Sequence, residues 1–250
     1  MTGALAAVHD ALLIALLAMI ALSAWAGFAL WILENPRRGT EEEISAGLLY
    51  RAVQILATLV HRLRVEGVEN IPKGRSVGPL IVVANHTAGI DPLLVQAACP
   101  FEVRWMMAQD MMKPGAEELW AFTRVIPVDR QGRDRTSVRA GLRHLAQGGV
   151  LGIFPEGAIA RPARTLKAFY SGVGLIVSRS GASVLPMVIQ GTPEGVAAGK
   201  SLITPSMSVL RVLPMVRFEK GTDAATITRA LEELFAHETG WKVVHGALET

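Results

Sequence analysis

Two residues in this sequence have the types and spacing for proton-transfer chemistry: His86 and Asp91, in the stretch Asn85-His86-Thr87-Ala88-Gly89-Ile90-Asp91-Pro92. A histidine held by a carboxylate is the minimum apparatus of a general base. Five residues apart, the pair would stand about 140° apart on a continuous helix and on opposite faces of a strand, so it can meet only across a bend. Gly89 supplies the freedom to turn. Leu80–Ala84 reads as a buried strand before the bend. Asp91-Pro92 reads as a helix N-cap followed by proline at the first helical position.

Two further polar clusters follow apolar runs: Val128-Asp129-Arg130 after Val125-Ile126-Pro127, and Phe154-Pro155-Glu156-Gly157 after Val150. Each has a structural explanation when taken alone. Asp91 can be a helix cap, Glu156-Gly157 an ordinary turn, and Asp129 and Arg130 can pair with each other. Together they put charge where three buried strands surface. There is no Gly-x-Ser-x-Gly elbow, Walker loop, His-Glu-x-x-His or Gly-x-Gly-x-x-Gly in the chain. Of six histidines, only His86 has a carboxylate at a spacing that a local turn explains. His61, His144 and His245 are read as helix-surface or tail residues without a role. Cys99 is the single cysteine, which excludes an intrachain disulfide and a cysteine-based zinc site, and it is read as a buried structural thiol. Arg135, Arg139 and Arg143 recur every four residues and read as a solvated helix face, with lipid headgroups or an acidic carrier protein as alternative partners.

The elements that must position these groups alternate between strand and helix. Strands are expected at Arg64–Val68, Leu80–Ala84, Val103–Met107, Val125–Val128, Val150–Phe154, Val184–Ile189 and Met207–Leu213. Helices are expected at Asp91–Ala98, Pro114–Phe122, Asp134–Gln147, Ser171–Ser180 and Ala224–His237. This is the pattern of an α/β fold, a mostly parallel sheet with helices on both faces. Ligands in such folds bind outside the carboxyl ends of the strands, so the loops after Ala84, Val128 and Phe154 are expected to crowd together.

The 250 residues are half hydrophobic and carry a formal charge of +3, a balance that suits an anionic surface or acidic partner and is too weak to argue for nucleic acid. Ala11–Leu33 contains no charged side chain. As a helix it would extend about 34 Å, against a bilayer hydrocarbon core of about 30 Å. Arg37 and Arg38 follow it and would place the next domain in the cytoplasm. A cleaved signal peptide is the rival reading, against which the N-terminal region lacks Lys and Arg. A helix lying in the interface is another, with Trp25 and Trp31 at headgroup depth. Glu41–Leu63 is helical in pattern, with an apolar stripe through Leu48/Leu49, Ala52/Val53, Leu56, Leu59/Val60 and Leu63, and Tyr50, Gln54, Thr58 and His61 on another face. It can pack on the domain or lie on a membrane. The expected organisation is an N-terminal membrane-anchoring helical part, residues 1–63, before an α/β domain, residues 64–250.

At the polar clusters the sequence resembles the membrane-associated glycerolipid acyltransferases related to lysophosphatidic acid acyltransferase. Their Asn-His-x-x-x-x-Asp signature stands here as Asn85-His86 to Asp91. A Val-Asp-Arg-like block matches Ile126–Arg130, Phe-Pro-Glu-Gly matches Phe154–Gly157, and an apolar strand with proline matches Val184–Ile189. The resemblance covers roughly Val65 to Gly191 and implies an O-acyltransferase of phospholipid biosynthesis at the cell membrane, its catalytic domain on the cytoplasmic side. It implies acyl transfer from acyl-CoA or acyl carrier protein to a lysophospholipid hydroxyl, foremost that of 1-acylglycerol-3-phosphate, with no bound cofactor or metal. His86 would be the base and Asp91 its partner. Arg130, Glu156 and Gly157 match acceptor-binding positions.

The chain departs from the pattern at Ala88, where relatives have Ser, and at Ala158-Ile159-Ala160, where they continue Thr-Arg-Ser. Gln109 stands near a common lysine position. Neutral side chains cannot supply charge-assisted contacts to a phosphate, so Arg161, Arg164 or Lys113 must compensate, or the acceptor is another lysolipid. A lipid-binding protein without turnover and a hydrolase activating water at His86 are the readings from other classes.

Overall fold

The computed structural model describes residues 19, 44–74, 77–112, 115, 120, 123–129 and 135–245. Ala52–Thr250 forms one compact unit. Its strands are β1 (Arg64–Glu66), β2 (Leu80–Ala84), β3 (Arg104–Ala108), β4 (Ile126–Val128), β5 (Val150–Ile153), β6 (Thr165–Lys167), β7 (Ser183–Gln190), β8 (Val209–Val212) and β9 (Lys242–Val244). Its helices are α2 (Asp91–Ala98), α3 (Arg135–Ala146), α4 (Gly172–Ser180) and α5 (Ala224–Thr239), and α1 (Ile44–Leu59) enters it at Ala52.

A seven-stranded sheet has the order β1-β8-β7-β2-β5-β3-β4. Its neighbouring strands are parallel except β7 and β8. β2 lies between β5 and β7, with Val83 level with Ile153 on one side and Pro186 on the other. All five β2 residues are buried, as a strand covered on both faces requires. Ile81 and Val83 pack with Leu145 of α3, Val173 and Ile176 of α4 and Leu231 and Phe235 of α5. Leu80, Val82 and Ala84 pack on the other face with Val95 of α2, Phe101 and Trp105. The strands of the sheet and the four helices α2 to α5 fall within a few residues of their expected positions. Most of the expected helix Pro114–Phe122 and most of Ala11–Leu33 lie outside the described residues. Among the described residues no helix is long and apolar enough to cross a membrane.

Three expectations need correction. β6 and β9 pair in parallel, Thr165 with Lys242, as a separate two-stranded sheet that the sequence pattern did not announce. The buried side of α1 only partly follows the expected stripe, of which Val53, Leu56 and Leu63 face the core. Val53 and Ala57 are buried, whereas Leu49 is exposed and Leu59 has 72% of its surface accessible. Small Ala57 lets the helix approach Ile90 and Leu94, and Gln54 donates to the Ala97 carbonyl at 3.3 Å. His61, expected on the surface, is fully buried between the Ser206 hydroxyl (2.8 Å) and the Leu202 carbonyl (3.1 Å). A buried imidazole needs both ring nitrogens satisfied, and the 202–206 segment satisfies them.

Candidate active site

β2 surfaces at Asn85, whose buried amide extends the sheet by one side chain. Its Nδ2 donates to the Ile189 carbonyl at 2.9 Å and its Oδ1 accepts from the Ile189 N–H at 2.7 Å. The chain then bends, and His86 Nδ1 reaches Asp91 Oδ2 at 3.0 Å. Asp91 has no accessible surface, so its charge must be satisfied from within. Oδ2 also accepts from the Thr87 N–H (2.6 Å) and the Ala88 N–H (2.9 Å). The Thr87 hydroxyl lies 3.2 Å from both carboxylate oxygens and 2.7 Å from the Thr192 hydroxyl. With its proton given to Asp91, Thr87 accepts from Thr192.

Two sequence assignments are thereby revised. Asp91 is the first residue of α2 and not its cap. Ile90 occupies the cap position without a side-chain bond, and the Asp91 carboxylate turns back to close the bend. Gly89 serves by lacking a Cβ: one built there would lie 2.4 Å from the Ala198 carbonyl oxygen.

Because Asp91 can only accept, Nδ1 carries the proton and Nε2 presents its lone pair. Nε2 has no hydrogen-bond partner among the described residues, and the side chain retains 18% of its accessible surface. The imidazole lies flat on Phe154, with ring centroids 4.2 Å apart and planes inclined by 18°. Phe154 stacks in turn on Trp105 at 4.5 Å and 9°. This is the arrangement of a base ready to take a proton from a group approaching Nε2.

The Phe-Pro-Glu-Gly stretch comes from β5, beside β2. Glu156 is buried and clamps two segments: Oε1 accepts from the His86 N–H at 2.6 Å and Oε2 from the Lys167 N–H at 2.7 Å. Gly157 closes the turn by donating to the Phe154 carbonyl at 3.0 Å. It has φ +69°, and a Cβ there would lie 2.5 Å from the Tyr170 ring. Arg161 stands beside the bend, its guanidinium donating to the carbonyls of Ala160 (2.9 Å), Thr87 (3.4 Å) and Val196 (3.4 Å). Exposed Arg164 faces Glu194 at 3.3 Å.

Arg130 and Lys113 lie outside the described residues. The loop after Val128 leaves the edge strand β4, with β3 and β5 between it and β2. The loop after β7, carrying Thr192, takes the adjacent place. Sequence reasoning placed the Phe154 loop beside the bend but missed the stacking of its ring on His86, and it missed Thr192 and Trp105, since no spacing links them to the base. A shallow surface recess is bordered by Thr87, Thr192, Arg164 and Glu194, and His86 does not line it. Cys99 is fully buried and its thiol is pushed up to about 12 by that burial, which makes it inert.

Burial pushes the Glu156 carboxyl from 4.5 up to about 8, against the two backbone N–H donors, which pull it down. The folded side chain thus keeps a proton that the unfolded chain has lost, so this group's stabilisation is complete below pH 4.5 and disappears as pH rises through about 8. Glu156→Gln cannot titrate, and it turns an NH₂ toward one of the two N–H donors, at a cost of about 1–3 kcal/mol. The urea-unfolding gap between wild type and Glu156→Gln should therefore narrow as pH rises from 4.5 to 8. A gap that stays constant or widens would mean that the carboxyl is ionised throughout.

With this geometry in hand, comparison with known proteins assigns the chain. The Acyltransferase family model matches residues 62–190, more than half of the sequence. A 1-acyl-sn-glycerol-3-phosphate acyltransferase of Bacillus subtilis (strain 168) is 22% identical over 148 residues, which are 58% of this chain and 70% of that one. The crystal structure of the 1-acyl-sn-glycerophosphate (LPA) acyltransferase PlsC from Thermotoga maritima shares the fold, with a TM-score of 0.64 and 21% identity over 85% of this chain and 87% of the other. His86, Asp91 and Glu156 all fall inside the matched span, and the chain belongs to the acyltransferase family.

Proposed function

We propose that this acyltransferase moves a fatty acyl group from acyl-CoA or acyl carrier protein to the hydroxyl of a lysophospholipid at a membrane, with 1-acylglycerol-3-phosphate as the acceptor. The observation that carries the reading is the His86–Asp91 pair, its Nε2 open and its Nδ1 held by a buried carboxylate. Nε2 takes the proton of the acceptor hydroxyl as that oxygen attacks the thioester carbonyl. The C–O bond forms, the tetrahedral oxyanion collapses, the C–S bond breaks, and the imidazolium returns the proton to the departing thiolate. The thioester is already activated, so no enzyme nucleophile is needed. Asp91 keeps the productive tautomer and faces the imidazolium charge as it forms.

The acceptor's phosphate requires a cation, and Ile159 stands where relatives carry arginine. Arg161 is the best-placed substitute among the described residues. It touches the carbonyl of Thr87, next to the base, whereas Arg164 is turned toward Glu194. Arg130 and Gly157 are assigned to the acceptor on the resemblance of their blocks, and Glu156 acts through its hold on the His86 backbone.

We place the protein at the cell membrane, with residues 1–63 as its anchoring part and the α/β domain on the cytoplasmic side. The charge-free Ala11–Leu33 run and the arginines after it support that reading. So does the α/β unit itself. Leu59, Ile203 and Met207 expose 72%, 76% and 70% of their surfaces on segments joined by the Ser206 N–H to Val60 carbonyl bond. Exposed Arg62, Arg64 and Lys200 flank them. Apolar side chains among cations suit an anionic lipid surface.

Three outcomes test these assignments. Purified protein given labelled acyl thioester and a panel of lysolipids should form diacyl product, and His86→Ala should cut that turnover at least ~10²-fold. Free fatty acid alone would mean a hydrolase, and no turnover a lipid-binding protein. Arg161→Ala should raise KM for 1-acylglycerol-3-phosphate by about tenfold, the loss of one charge-assisted contact, and leave uncharged lysolipids unaffected. An equal effect on both would remove Arg161 from the phosphate. Replacing Leu59 and Ile203 by Asp should weaken sedimentation with anionic vesicles at least ~10-fold, and unchanged partition would take this surface off the membrane.

A further inference from the structure

Beyond the hydrogen bond at Nδ1, the imidazole of His86 is held by a column of rings. Trp105 on β3 lies level with Gly152 on the adjacent strand β5. A Cβ at Gly152 would stand 2.5 Å from the indole and 2.7 Å from Val103, so glycine is what allows the indole to lie flat against β5. Trp105 is almost wholly buried in the core on that face of the sheet. Its indole and the ring of Phe154 are nearly parallel, 4.5 Å apart, and the imidazole forms the third layer, 4.2 Å beyond.

One bond to Asp91 fixes Nδ1 but leaves the ring free to tilt about that contact, and tilting moves Nε2, the reacting atom. A flat aromatic face resists the tilt. The same face attracts the positive charge that the imidazole acquires as it takes the proton, because a cation within about 6 Å of a ring centroid is favoured by the ring's quadrupole. That attraction is absent while the histidine is neutral, so it favours the transition state over the ground state and acts on kcat. Reading along the column, Gly152 seats Trp105, Trp105 backs Phe154, and Phe154 sets the plane of the base.

We propose that Phe154 and Trp105 are positioning residues for His86, a stacked aromatic support that aims Nε2 and faces the imidazolium formed during acyl transfer. The inference rests on His86 as the base, and the test separates the two. Phe154→Leu should lower kcat by about tenfold to a hundredfold with KM for both substrates within about twofold, whereas Phe154→Tyr, which keeps the ring, should stay within about threefold of wild type. Trp105→Leu should lower kcat in the same manner, and Trp105→Phe should restore most of it. Ring-nitrogen NMR of His86 at alkaline pH should give the Nδ1–H tautomer in wild type and in Phe154→Leu alike, because Asp91 sets it, so that the loss of kcat is traced to the tilt of the ring. Circular dichroism melts of each variant establish that it is folded. If Phe154→Leu does not fold, the Trp105→Leu and Trp105→Phe pair carries the test.

Wild-type kcat in folded Phe154→Leu or Trp105→Leu, with His86→Ala inactive, would overturn the support and leave the base standing. A loss in Phe154→Tyr equal to that in Phe154→Leu would also overturn it. Full activity in His86→Ala would remove the base, and the column's role with it.

Discussion

Asp91 is a carboxylate with no contact to water, and such a group is tolerated only where its surroundings replace the water. Here the replacements are local: the N–H groups of Thr87 and Ala88, the Thr87 hydroxyl and the His86 ring. All lie within five residues of the charge they serve. Satisfying Asp91 therefore forces the chain to fold back on itself, and the same folding back brings the imidazole into register. The bend and the base are one solution to one electrostatic problem. Glu156, which its burial keeps protonated, links segments over longer range. Its two oxygens accept from backbone N–H groups seventy and eleven residues away in sequence, so burying it ties the bend at His86 to the end of β6.

Topology makes these ties possible. A parallel strand flanked by two parallel neighbours delivers three carboxyl ends to one edge, and β5, β2 and β7 do so here. From β2 comes the bend, from β5 the Phe154 face and the Glu156 clamp, and from β7 the Ile189 backbone that holds Asn85 and the Thr192 hydroxyl behind Thr87. β2 is buried on both faces and bonded on both sides, so His86 follows one of the most enclosed strands of the fold. Positioning to a fraction of an ångström is what general-base chemistry needs, and a central strand provides it more readily than a loop.

Much of this was legible in the sequence because the signals are local. The run Leu80–Ala84, the proline after Asp91 and the five-residue spacing lie within one stretch, and α2 falls where the spacing placed it. What was not legible depends on partners distant in sequence. β6 and β9 are three residues each, too short to show a period, and they find one another across more than seventy residues. The buried side of α1 was read only in part, because apolarity alone put Leu59 in the stripe and left out Ala57, whereas packing against Ile90 and Leu94 favours a small side chain. Gly89 was correctly marked as necessary for a different reason: close approach of the Ala198 backbone, which no pattern in the chain reveals. Trp105 and Phe154 carry no common signature, since only the β3–β5 register stacks them.

The same distinction explains how the third block can depart from its relatives without disturbing the base. Glu156 acts through backbone donors, and Ala160 contributes to the turn only by donating its N–H to the His86 carbonyl at 2.9 Å. No side chain between Ala158 and Ala160 is needed to hold the imidazole. The side chains of that stretch can therefore differ while the His86–Asp91 contact stays intact. Arg161 puts positive charge beside the bend, because the guanidinium folds back to the carbonyls of Ala160 and Thr87. The His86–Asp91 geometry is thus set by the sheet and by the backbone of the bend, to which the loop after Glu156 is tied through backbone donors and not through the side chains of Ala158 and Ile159.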